Sequence, residues 1–159
     1  MKKRLLFVCL GNICRSPAAE GIMKTLVERA KLDHLIDCDS AGTSAYHEGE
    51  SADRRMIAHA KERGYGLTSL SRPFRAPEDF INFDYILTMD DDNFRNVLRL
   101  DSDRKFQQKV HRMVKFCRIH RVEEVPDPYY EGDDGFRLVL DILEDACETL
   151  LGQIKSELK

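Results

Sequence analysis

The chain has no apolar run long enough to cross a membrane. Its longest, Leu5-Leu6-Phe7-Val8-Cys9-Leu10, reaches only six residues. Met1-Lys2-Lys3-Arg4 ahead of that run has the charge order of a secretory signal, but the apolar part is too short, and Gly11, Asn12 and Arg15 interrupt it. A basic excess is also lacking: 25 Lys and Arg stand against 28 Asp and Glu, a net charge of -3, which removes the electrostatic case for nucleic acid. There is no even set of cysteines. Cys9, Cys14, Cys38, Cys117 and Cys147 make five, and without a secretory signal an odd number argues against a disulfide framework. No Cys-x-x-Cys or Cys/His spacing suggests zinc. No internal repeat, low-complexity tract or linker is visible. What is left is an expectation of one domain over residues 1–159, cytoplasmic, whose 42% apolar content is enough for a real core.

The pattern alternates strands and helices. Lys3–Cys9 is apolar enough for a buried parallel strand. Ser16 is expected as an N-cap, with Pro17 in the first helical position. Ala18, Ala19, Ile22, Met23, Leu26, Val27 and Ala30 then recur on one helical face. A second strand is expected over Leu35–Ser40, turning through Ala41-Gly42-Thr43-Ser44 into a loop with Tyr46 and His47. A helix over Ala52–Arg63 is ended by Gly64 and Gly66, and Leu67–Pro77 is a loop. Phe83–Met89 reads as a strand closed by Asp90, Asp91–Leu98 as helical, Asp101–Lys109 as polar surface and Val110–Phe116 as a fourth strand. Phe136, Val139, Leu140, Leu143, Cys147, Leu150, Leu151 and Ile154 form the apolar face of a final helix, capped by Asp133 or Asp134. Cys38 and Cys147 read as small core residues. This alternation implies an α/β fold with a mostly parallel sheet, whose site lies beyond the carboxyl ends of the strands. Cys9, Ser40 and Asp90 all fall there.

The chemistry concentrates in Cys9-Leu10-Gly11-Asn12-Ile13-Cys14-Arg15-Ser16-Pro17. A cysteine at the mouth of a strand, facing a helix N-terminus with an arginine beside it, meets a field that favours both a bound anion and a thiolate. Arg15 suits bidentate contact with phosphate oxygens. Gly11 allows close backbone approach, and Asn12 tolerates the left-handed conformation that turns successive N–H groups inward. Ser16 is placed to donate to the Cys9 sulfur. Cys-x5-Arg alone is common by chance; the strand before it, the helix after it and Gly-Asn within give it weight. Asp127, between Pro126 and Pro128, suits a general acid for a departing alcohol or phenol, though aspartate beside proline also serves simple turns. Tyr129 and Tyr130 beside it favour an aromatic substrate wall, and a self-association surface is the other reading of them.

Together, the loop from Cys9 to Pro17 and the Asp127-Pro128-Tyr129-Tyr130 segment resemble the low-molecular-weight protein tyrosine phosphatases over essentially the whole chain. That resemblance implies a three-layer α/β/α sandwich with a four-stranded parallel sheet and a phosphate loop between the first strand and first helix. It implies cysteine-dependent hydrolysis of phosphotyrosine and small aryl phosphates, in the manner of an acid phosphatase, without metal or other cofactor. Cys9 becomes the nucleophile, Arg15 the phosphate and transition-state ligand, and Asp127 the acid and then the base. Leu10, Gly11, Asn12, Ile13, Cys14 and Ser16 form the phosphate loop and its support, with Ser40 buttressing Asn12. Leu10, Ile13, Tyr46, His47, Tyr129 and Tyr130 form the rim and walls of the cleft.

The expected partners are tyrosine-phosphorylated proteins or peptides, with phosphate- or vanadate-type oxyanions as inhibitors, no nucleic acid, no membrane span, and a monomer or weak dimer. Some members carry a histidine between positions 67 and 75; this chain has none there, Ser71 is the available substitute, and Arg75 or Arg72 is expected to reach the acidic side chains near the site. Cys14 is either a small space-filler or, by resemblance, a redox partner that forms a reversible disulfide with Cys9. Arsenate reductase chemistry needs further cysteines that residues 72–100 lack. An arginine phosphatase of the same fold carries threonine where Ile13 stands. A non-catalytic phosphate-binding module is disfavoured by the intact Cys9, Arg15 and Asp127.

Overall fold

The computed structural model describes residues 2–159; Met1 lies outside the described residues. Four strands, β1 (Lys3–Cys9), β2 (Ile36–Gly42), β3 (Tyr85–Thr88) and β4 (Val110–Arg112), form one parallel sheet in the order β2-β1-β3-β4. Five α-helices connect and flank them: α1 (Arg15–Arg29), α2 (Arg54–Glu62), α3 (Glu78–Asn82), α4 (Asp91–Leu100) and α5 (Asp133–Glu157). Alternate β1 side chains serve two cores, as the strand period of two requires. Leu5 and Phe7 pack with Ala18, Ile22 and Met23 of α1, Met56 of α2 and the apolar face of α5, while Leu6 and Val8 face Phe80 of α3 and Val97 of α4. The result is three layers, with a helix layer on each face of the sheet. Because every strand is parallel and covered on both faces, β1 reads as a continuous apolar run.

The chain leaves β1 toward β2 on one side and later returns to β3 on the other. The carboxyl end of β1 is therefore the topological switch point, where such sheets open a crevice. Residues 9–15 occupy it.

Most expected elements form, with instructive differences. The first helix begins at Arg15, two residues earlier than a Ser16 cap requires; Cys14 is the capping position and supplies no side-chain bond. Ser16 lies inside α1 because its hydroxyl is engaged by the loop. β2 continues through Ala41 to Gly42 instead of ending at Ser40, since Gly42 pairs with Cys9 in register. A Cβ on Gly42 would meet the Leu10 carbonyl oxygen at 2.7 Å, so the glycine permits that close approach. α2 is shorter than Ala52–Arg63 because Asp53 caps it, accepting from the N–H groups of Arg55 and Met56. β4 stops at Arg112, and Met113–Phe116 turn into a 3-10 segment. The stretch 101–109 is not all surface: Asp101 is buried and accepts from the N–H groups of Lys105 and Phe106. Neither Asp133 nor Asp134 caps α5; Gly132 holds that position, and Asp133 instead pairs with His59. Cys147 is fully buried and Cys38 half-buried against the same core.

Candidate active site

The loop after β1 is held by its carbonyl groups. Those of Cys9 and Leu10 accept from the N–H groups of Thr43 (2.9 Å) and Ser44 (2.9 Å), and that of Ile13 accepts from Asp53 (2.7 Å). The Gly11 carbonyl accepts from the Ser71 hydroxyl at 2.9 Å. With these acceptors turned outward and tied, the loop N–H groups are left to face the other way, as an anion nest requires. Asn12 supplies the necessary bend with φ of 57°. The Arg72 N–H donates to Asn12 Oδ1 (3.0 Å), so the amide nitrogen must point to the serines. It donates to Ser16 Oγ (2.7 Å) and Ser40 Oγ (2.9 Å). The segment without the histidine thus secures the loop through the Ser71 hydroxyl and the Arg72 backbone. The Arg72 guanidinium bridges Asp39 (3.0 Å) and Asp79 (2.9 Å) and so fixes that backbone.

Cys9 sits on the floor, buried, with Sγ 2.9 Å from Ser16 Oγ and 3.3 Å from the Asn12 N–H. Arg15 starts α1 and is 3% exposed, yet it is charge-paired on both sides. Its Nη1 donates to Asp90 Oδ2 (2.6 Å) and to the Val125 carbonyl (3.1 Å), and its Nη2 lies 3.6 Å from Asp127 Oδ2. Burial works against the Arg15 charge, but Cys9, Asp90 and Asp127 outweigh it and push its pKa up. Cys14 is buried in the same loop, and burial, with Asp53, Cys9 and Asp127 adding to it, pushes its thiol well above the usual range. Such a thiol stays protonated at neutral pH.

Asp127 is 45% exposed at the mouth, and its Oδ1 accepts from the Tyr129 N–H at 3.1 Å. Cys9, Arg15 and Asp127 open onto a cavity of about 490 Å³ that Leu10, Gly11, Ile13 and Cys14 also line. One wall is Ser44, Tyr46 and His47; the other is Tyr129 and Tyr130. Tyr46 and His47 meet edge to face at 4.8 Å, as do Tyr129 and Tyr130 at 5.0 Å. Such a slot, apolar-walled with a charged floor, suits a planar ring carrying an anion. Asn12, Ser16 and Ser40 stand behind the loop as support and do not line the cleft.

Three contributors were not assigned roles from the sequence. Asp90 orients Arg15 across 75 residues; its place at the end of β3 was the available signal. The Val125 carbonyl leaves no side-chain trace. Arg55 donates to the Tyr129 carbonyl (2.9 Å), with its guanidinium 4.7 Å from the Phe136 ring centroid, and ties the Asp127 loop to α2.

Comparison with known proteins agrees with this geometry. The family model for the low molecular weight phosphotyrosine protein phosphatase matches residues 4–159. A Synechocystis sp. protein, provisionally named a low molecular weight protein-tyrosine-phosphatase, is 52% identical over 155 residues, covering 98% of each chain. The Homo sapiens low molecular weight phosphotyrosine protein phosphatase is 35% identical, covering 94% of each. The crystal structure of an Entamoeba histolytica protein tyrosine phosphatase superposes with a TM-score of 0.95 at 50% identity, over 99% of this chain and 100% of that one. By its matched residues, its relatives and its four-stranded parallel fold, this chain belongs to the low molecular weight phosphotyrosine protein phosphatases, a family of hydrolases.

Proposed function

We propose that this chain hydrolyses phosphotyrosine in proteins or peptides, and small aryl phosphates, through a cysteinyl-phosphate intermediate. The observation that carries the reading is the placement of Arg15, buried between the Cys9 sulfur and the Asp127 carboxyl at the floor of one aromatic-walled cleft. The Cys9 thiolate attacks phosphorus while the bond from phosphorus to the phenolic oxygen breaks, and Asp127 gives its proton to that oxygen. Arg15 and the loop N–H groups hold the phosphoryl oxygens as their charge develops. Water then attacks the cysteinyl phosphate. Asp127 takes the water's proton, the S–P bond breaks, and phosphate and the thiolate are released. Ser16 donates to sulfur in both steps, steadying the thiolate as nucleophile and as leaving group. Phosphate and vanadate bind the same cradle as inhibitors.

Ile13 narrows the base of the slot, and Tyr46, Tyr129 and Tyr130 provide ring faces, which favours an aryl phosphate over a phosphoguanidinium. Cys14 is the partner for a protective disulfide with Cys9 under peroxide. Initial rates on p-nitrophenyl phosphate, a phosphotyrosyl peptide and the matching phosphoseryl peptide test the reading. Turnover of the first two and little of the third is expected, with Cys9→Ser abolishing turnover. A parent enzyme with no turnover at pH 5–7 overturns it.

A further inference from the structure

Behind the phosphate loop the hydrogen bonds continue away from the cleft. Ser40 Oγ donates to Glu20 Oε1 at 2.5 Å, and Glu20 Oε2 accepts from Lys24 Nζ at 2.5 Å. The Glu20 side chain is 3% exposed, whereas that of Lys24 is 49% exposed, on the outer face of α1. A buried carboxylate is costly unless paired, and Lys24 one helical turn on is its charged partner. Burial works against the Lys24 charge, but the bond to Glu20 outweighs it and raises the lysine's pKa; Cys38 and Asp39 add to it from β2.

The direction of each bond follows from what each group can give. An ionised carboxylate only accepts, so Ser40 must spend its single hydrogen on Glu20. Ser40 Oγ is then free to accept from Asn12 Nδ2, whose orientation the Arg72 N–H already sets. The second amide hydrogen of Asn12 goes to Ser16 Oγ. Ser16 therefore keeps its own hydrogen for Cys9 Sγ at 2.9 Å; its other acceptor, the Ala41 carbonyl, is 3.5 Å away. If Glu20 were neutral, Ser40 could turn its hydrogen toward Asn12 and set two donors against each other at the bend that shapes the loop.

We propose that Lys24 and Glu20 are positioning residues for the phosphate loop. Lys24 holds Glu20 as a carboxylate, Glu20 orients the Ser40 hydroxyl, and Asn12 passes that orientation to Ser16, so that a half-exposed lysine outside the cleft governs how the Cys9 sulfur is hydrogen-bonded. In this chain the pair supplies from α1 an anchor that complements the Ser71 and Arg72 contacts on the other side of Asn12. The inference deepens the proposed function, since it takes Cys9 as the nucleophile. The charged or titratable groups that share the cleft with Cys9 are Cys14, Arg15, Tyr46, His47, Asp127, Tyr129 and Tyr130, and all stay unchanged in the test.

The test compares Lys24→Met, Lys24→Arg and Glu20→Gln with the parent. Cys9 alkylation by iodoacetate is followed against pH, kcat and KM are measured on p-nitrophenyl phosphate, and thermal unfolding is recorded alongside. Alkylation is read without turnover, so it separates this inference from the phosphatase reading: a parent that alkylates normally but turns nothing over defeats that reading and leaves the alkylation comparison to decide this one. For Lys24→Met the expected result is a pH–alkylation midpoint moved upward and kcat lowered about threefold to tenfold, the worth of about one ordinary hydrogen bond, with KM within about twofold. Lys24→Arg restores both. Glu20→Gln shows the larger change, and if it does not fold, Lys24→Met decides alone. A Lys24→Met variant with the parent's alkylation profile overturns the proposal, whether its kcat is unchanged or falls only in step with melting temperature.

Discussion

The Arg15 guanidinium donates to the Asp90 carboxylate at 2.6 Å, joining the start of α1 to the end of β3 at the floor of the cleft. Asp90 also caps α4. The Asn93 N–H donates to Asp90 Oδ1 (2.8 Å), and the Asp90 N–H donates to Asn93 Oδ1 (3.2 Å). One oxygen holds a helix and the other orients the Arg15 guanidinium.

These two duties can be separated. Asn caps as well as Asp. Asp90→Asn is therefore expected to keep the α4 cap, losing stability only through its weakened pairing with Arg15, while lowering kcat/KM about tenfold to a hundredfold, the worth of a charge-assisted bond on a buried arginine. Asp90→Ala should lose activity similarly and about 1 kcal/mol of stability besides. Paired denaturation and kinetic measurements check both, and an Asp90→Asn variant with parental kcat/KM would remove Asp90 from orienting Arg15.

Asp127 stands at the mouth, 45% exposed and held by the Tyr129 N–H. Asp127→Ala should lower kcat by about 10²–10⁴ for aryl phosphates with poor leaving groups. The loss should shrink as the leaving phenol becomes more acidic. A series of substituted phenyl phosphates reads this slope; equal losses across the series contradict the acid role.

Both loop thiols are free and buried. Peroxide converts the Cys9 thiolate to a sulfenic acid. On the proposed reading, attack by the Cys14 sulfur then expels water and closes a disulfide, which thiol reductant reopens. Peroxide-inactivated parent should regain activity with dithiothreitol, whereas Cys14→Ala should recover far less because sulfenic acid proceeds to sulfinic acid. Equal recovery of the two proteins speaks against a protective Cys14.

Asp145 of α5 accepts backbone N–H bonds from Arg118 (3.0 Å), Ile119 (3.0 Å) and His120 (2.8 Å) and pairs with the His120 ring (3.2 Å). It anchors the segment leading to Val125, whose carbonyl receives Arg15. Burial pushes its pKa up, but these donors prevail and lower it to about 2. A depressed carboxyl pKa stabilises the fold above the unfolded value and loses that contribution as pH falls toward about 2. Asp145→Asn should thus cost about 2 kcal/mol near neutral pH and progressively less below about pH 4. Urea titrations across that range measure it; a difference that does not change with pH contradicts this origin.

The parts legible in the sequence are those carried by local order. β1 was readable because its part buried on both faces, Leu5 to Cys9, is an uninterrupted apolar run. The cleft residues were readable because Cys9, Arg15 and Asp127 are chemically conspicuous. Ser16 misled because its residue type suits both a cap and a thiolate donor; only the folded loop shows its hydroxyl 2.9 Å from sulfur. The Arg15–Asp90 and Ser40–Glu20 contacts depend on which strands are neighbours, and no periodicity within one segment reports that. The fourth strand was overread because apolar residues through Phe116 continue into a 3-10 turn packed on α5.

The central claim is the covalent intermediate on Cys9. Intact-mass and peptide-mapping analysis of enzyme quenched in alkali during turnover of p-nitrophenyl phosphate, whose leaving group needs little help from Asp127, tests it most directly. The Asp127→Ala variant, slow to hydrolyse the intermediate, serves as the accumulating case. The account predicts one added phosphoryl group, located on Cys9 and absent from Cys9→Ser. Full turnover with no phosphoryl adduct in either protein, or an adduct on another residue, would contradict it.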